Sequence, residues 1–122
     1  MTYPKPYGLE CGDGWKKIVD YTHEKLKYID PDYKVFQIKE KFGGLRYYYD
    51  SSIYYGTIQR DIMEDIIKAA ELEASYTCEL CGVQGISKGV ETRVDHHWYY
   101  TYCKECSDKV IAERNERFNR ND

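Results

Sequence analysis

Two Cys-x-x-Cys pairs, Cys78-Glu79-Leu80-Cys81 and Cys103-Lys104-Glu105-Cys106, bracket residues 82–102. No other feature constrains the chain as tightly. Two thiolates three residues apart on a tight turn can reach one ion, and Gly82 lets that turn close with positive φ. The run Glu91 to Tyr102 is rich in β-forming residues and predicts a hairpin between the pairs. After Cys106 the pattern turns helical, with Val110, Ile111 and Phe118 marking the apolar side. Knuckle, hairpin, then two ligands at the first turn of a helix is the treble-clef, or zinc-ribbon-like, arrangement. The positive end of the helix favours thiolates. Four sulfurs close a tetrahedron and leave no position for water, so the expected cofactor is one structural Zn²⁺ on Cys78, Cys81, Cys103 and Cys106. Such an ion contributes folding energy directly to a lobe with few apolar residues.

The remaining sequence predicts an α+β fold. A first helix is expected after Asp13, read as its N-cap, with Trp15, Ile18, Val19, Thr22, Leu26 and Ile29 on one face and Pro31 as its stop. Two β-rich runs, Tyr33–Lys41 and Leu45–Asp50, flank Gly43-Gly44 and predict a hairpin turning on that pair. A second helix is expected over about Thr57–Ser75. Its apolar positions are read as Ile58, Ile62, Ile66, Ala69 and Ala70, with a Glu64–Lys68 pair and an acidic solvent face. The first dozen residues read as irregular. At 122 residues the chain suits one domain, divided into a helix–hairpin–helix scaffold over 1–76 and a zinc lobe over 77–122.

Aromatic residues make up 16% of the chain, which argues for a folded protein. A net charge of −3 and a pI near 5.6 argue against a dedicated duplex-binding protein. Met1 to Tyr7 lack the apolar core of a leader, and no run is long enough to span a bilayer, so a cytoplasmic protein without membrane contact is expected. Thiols stay reduced there, and paired Cys-x-x-Cys motifs then mean metal. The fifth cysteine, Cys11, reads as a small buried hydrophobe, and His23 as a surface or structural residue.

Two segments are more distinctive than core packing requires: Glu10-Cys11-Gly12-Asp13-Gly14-Trp15 and Lys39-Glu40-Lys41-Phe42-Gly43-Gly44-Leu45-Arg46. Together with the Cys78 knuckle they resemble a group of small zinc-ribbon-like proteins from bacteriophage and prophage genomes, over about Glu10 to Cys106. The resemblance implies a phage origin, action in the host bacterial cytoplasm and a fold, but no mechanism. Lys34, Lys39, Lys41 and Arg46 against Glu40 leave the hairpin locally cationic. The turn amides beside Lys39, Lys41 and Arg46 form a candidate anion or partner site, and Trp15 is a further candidate for partner contact.

Asp95-His96 between the cysteine pairs resembles the metal-binding pair of His-Asn-His and endonuclease VII-like nucleases. The pattern departs from theirs. The spacing to the second cysteine pair is short, Ser107 stands where an Asn is expected after the last Cys, and no later His follows. His96 and His97 instead read as residues of a strand running into Trp98. The expected function is therefore a non-enzymatic binding module on a host protein or complex, acting on transcription or defence. A nucleic-acid-binding zinc module is the second expectation and a nuclease the third.

Overall fold

The computed structural model describes residues 9–120, with side chains to residue 117. The fold is α+β: three helices and two sheets among the described residues, with the four paired cysteines gathered near the C-terminal end. Residues 1–8 and the Phe118 side chain lie outside the described part.

The scaffold begins earlier than expected. Leu9–Glu10 is a short strand, β1, parallel to β2 (Lys34–Lys41), which pairs antiparallel with β3 (Gly44–Asp50). Asp13 does not cap the first helix. It opens a single 3₁₀ turn, Asp13–Trp15, and no side chain caps α1 (Lys16–Ile29). The buried face of α1 is as predicted, with Ile18, Val19, Thr22 and Leu26 inside. Thr22 satisfies its hydroxyl on the Ile18 carbonyl, at 2.7 Å. The helix ends at Asp30, whose carboxylate accepts the Asp32 amide at 3.0 Å in the turn around Pro31.

The β2–β3 hairpin turns on Phe42 and Gly43 rather than on Gly43 and Gly44. Both turn residues have positive φ, +54° and +80°, and Lys41 faces Gly44 across the ladder. This is the two-residue turn whose twist matches its strands, and the aromatic at its first position obscured it in the sequence. A register shift between Val35 and Gln37 lets Phe36 bulge out, half-exposed.

α2 (Ile58–Ser75) starts at Thr57, whose hydroxyl accepts the Arg60 amide at 3.2 Å. Its buried face matches the predicted one only at Ala70 and, in part, Ile66. Arg60, Met63, Ile67, Ala70 and Ala74 point inward, whereas Ile58, Ile62 and Ala69 are exposed and Ile66 is half-buried. The helix carries two adjacent apolar stripes; one packs fully on α1 and the sheet, and the other reaches the core only through Ile66. Glu64 pairs back to Arg60, not forward to Lys68. The Arg60 guanidinium is buried and donates to the Ser51 and Ile53 carbonyls at 3.2 and 2.9 Å, pinning the loop before α2. Trp15, Val19, Leu26, Ile38, Leu45 and Met63 form the fully buried centre of the core. Each contributes roughly 1.5–3 kcal/mol by leaving water.

The second sheet is the hairpin β4 (Glu91–Asp95) and β5 (Trp98–Tyr102), followed by α3 (Lys104–Arg120). His96 and His97 are not strand residues. They form the two-residue turn, with φ of +50° and +69°.

Candidate metal centre

The cysteine cage is built by two local devices. In the knuckle, the Gly82 amide donates to the Cys78 carbonyl at 2.9 Å and the Cys78 amide to the Val83 carbonyl at 2.8 Å. Gly82 has φ +84°, as the turn chemistry requires. At the other wall, Cys103 immediately precedes α3 and Cys106 lies in its first turn, its amide 3.4 Å from the Cys103 sulfur. The four sulfurs all lie within 4.8 Å of one another, and those of Cys81 and Cys103 are 3.8 Å apart. A disulfide would need about 2.05 Å. Sulfurs bound at about 2.3 Å around a tetrahedral ion stand roughly 3.8 Å apart. The donor set and its spacing therefore fit a metal ion.

The electrostatics fit as well. Burial works to raise the Cys78 thiol, yet amides of residues 103, 81 and 80 outweigh it and bring the group down to about 7. Burial raises Cys81 and Cys106, and the neighbouring sulfurs oppose a second negative charge on Cys106. Four thiolates this close repel one another unless a cation sits among them.

Both distinctive motifs of the sequence dock on this cage. The Gly14 amide donates to the Glu79 carbonyl at 2.7 Å, and the Gly12 amide to the Glu79 carboxylate at 2.8 Å. A Cβ on Gly14 would stand 2.6 Å from the Glu79 carbonyl oxygen, so the backbones approach too closely for any side chain. The Trp15 indole N–H donates to the Thr77 carbonyl at 2.8 Å. Trp15 is fully buried, which removes it from any partner surface. Cys11 is half-buried against the main core, and burial, with Glu79 and Asp13 nearby, pushes its thiol up to about 12.

The Phe42-Gly43 turn meets the cage from the other side. The Thr101 hydroxyl donates to the Gly43 carbonyl at 2.6 Å, and the Glu79 amide donates to the Thr101 carbonyl at 2.9 Å. The Phe42 ring meets Tyr99 edge-on at 5.7 Å. The Gly43 amide donates to the Glu40 carboxylate at 2.7 Å. The turn amide expected to receive a phosphate therefore already holds an anion from its own strand. Lys39 and Arg46 face each other across the ladder on the outer side of the sheet, with Lys41 exposed at the turn.

Asp95 pairs with Arg114 of α3 and lies 3.5 Å from His96, whose side chain is in solvent. Among the described residues, the paired cysteines form the one group of three or more ligating side chains close enough to share an ion. Glu79, Thr77 and Thr101 join cage to scaffold and carried no sequence signal: Thr77 acts through its carbonyl, Glu79 through carbonyl and carboxylate, and Thr101 through a hydroxyl whose partner, the Gly43 carbonyl, is 58 residues away. The spacing Gly12-x-Gly14 did carry one: two small residues there permit a close backbone approach.

Comparison with family models, with curated proteins and with solved structures finds no match to this chain. No helix among the described residues is long and apolar enough to cross a membrane.

Proposed function

We propose that this chain is a small zinc-stapled binding module without catalytic activity, of the treble-clef kind, which docks on a protein partner through the outer face of its first hairpin. The observation that carries the reading is the closed four-sulfur cage, whose buttresses consume both glycine motifs internally. Phe36, Lys39, Lys41, Phe42, Arg46 and Tyr48 remain half- or fully exposed on and beside the outer sheet face. Aromatic and arginine side chains on a rigid sheet are the usual anchors of protein interfaces. The resemblance to small phage proteins points to a partner in the host bacterial cytoplasm, within transcription or defence. The all-thiolate donor set suits zinc, as it suits iron, and disfavours the hard ions that take oxygen ligands.

The test is native mass spectrometry of the protein alone and after mixing with bacterial lysate. One zinc per chain is expected, with a specific bound protein that Arg46→Glu and Phe42→Ala release. A partner retained by both variants contradicts the assigned face. Divalent-dependent DNA cleavage that Asp95→Ala abolishes would overturn the non-enzymatic reading.

A second reading, single-stranded nucleic acid on the same face, is favoured by the Lys39 ammonium 5.9 Å above the Tyr48 ring. It predicts binding that weakens steeply with salt and with neutralisation of Lys39, Lys41 and Arg46.

A further inference from the structure

The surface opposite this face holds apolar positions of α2 that the core leaves mostly uncovered, Ile66 alone of them packing partly against it. Ile58 is 76% exposed and Ile62 46%, with Ala69 exposed and Ile66 half-buried along the same line. Beside it, α1 offers Tyr21 and Tyr28, at 59% and 91% exposure. Tyr21, Glu24, Lys25, Tyr28, Ile29 and Ile66 border a groove of about 320 Å³ between the two helices. The stripe from Ile58 to Ala69 runs roughly 17 Å along α2 at 1.5 Å per residue.

Its charge leans opposite ways on the two helices. On the α2 side exposed Asp61 and Asp65 outnumber Lys68, and on the α1 side exposed Lys17 and Lys25 outnumber Glu24, with the Lys25 ammonium 4.1 Å above the Tyr21 ring. One face thus contains a net acidic, aliphatic half and a net basic, aromatic half. A two-fold axis between the helices lays each half on its opposite in a second copy, the self-complementarity an isologous dimer requires. No other partner is guaranteed to present both halves in the right order.

We propose that the α1–α2 face is a homodimer interface, in which the isoleucine stripe of each α2 packs on the tyrosines of the partner copy's α1, with Asp61 and Asp65 opposite Lys17 and Lys25. The footprint of two short helices lies at the small end of specific interfaces, so the dimer forms in the micromolar range.

The test is sedimentation equilibrium of the zinc-loaded protein from about 1 to 500 µM, for wild type, Lys25→Glu and Asp65→Lys. Both positions are on the surface, and far-UV circular dichroism with zinc content checks that each variant folds. The wild type should pass from monomer to dimer, and each reversal should weaken dimerisation at least tenfold. Mixing the two variants should restore it as a heterodimer, because the two reversed positions then face each other with opposite charge. A monomeric wild type over the whole range overturns the proposal. So does a dimer that ignores both reversals, or a mixture that stays monomeric.

Discussion

A single hydrogen atom at residue 14 decides how the two parts of this protein meet. Gly14 lies so close to the knuckle backbone that a methyl group there would strike the Cys78 and Glu79 carbonyls, which belong to the turn that carries two of the four cysteines. Backbone cannot yield as a flexible side chain would. Gly14→Ala is expected to cost about 3 kcal/mol, the upper end of overpacking effects, and to speed metal loss to a chelator. Gly56 makes the contrast. It has φ +88°, and a Cβ there would meet no atom within 4 Å. Gly56→Ala should therefore cost only the ~1–2 kcal/mol of a left-handed backbone and leave metal retention unchanged. Urea titration and chelator-challenge kinetics on both variants check this. Equal metal-loss rates would show that the Gly14 contact does not support the cage.

At the scale of elements, the sequence was most legible where one periodicity dominates. In α1 the apolar positions form a single stripe ended by Asp30-Pro31, and the helix and its buried face follow from it. The cysteine cage was legible because ligand spacing is local and its chemistry narrow. α2 was legible as a helix but not in its orientation. Its isoleucines outweigh the true inward stripe in bulk, yet Met63, Ile67, Ala70 and Ala74 face the core, where the small alanines allow close approach. Met63→Ala should therefore destabilise by roughly 2–5 kcal/mol, whereas Ile62→Ala should stay within about 0.5 kcal/mol in the monomer. Thermal or urea unfolding at low protein concentration measures both. The reverse order would restore the isoleucine face as core. The two hairpin turns were hidden for a different reason. Phe42 and the His96-His97 pair occupy left-handed backbone that glycine or asparagine usually signals. Tertiary twist fixes those turns, and a single sequence does not display it.

Across the whole molecule, the two sheets differ in what holds them. The first shares a core with α1 and α2. The second lobe has a buried cluster of Cys78, Val90 and Cys103, with Tyr102 and Cys106 against it, so most of its core is the cysteines of the candidate metal site. Hydrophobic burial of that size cannot offset the entropy of ordering a hairpin and a helix. An ion held among the four sulfurs would supply the difference. It would also fix the surface against which Gly12, Gly14, Trp15 and the Phe42-Gly43 turn rest, and one ion on four sulfurs would then organise the C-terminal half. X-ray absorption at the zinc edge of the purified protein tests it most directly. One zinc per chain is expected, with four sulfur neighbours at about 2.3 Å and no nitrogen or oxygen in the shell. A shell containing nitrogen or oxygen, or a folded protein that carries no metal, would contradict it.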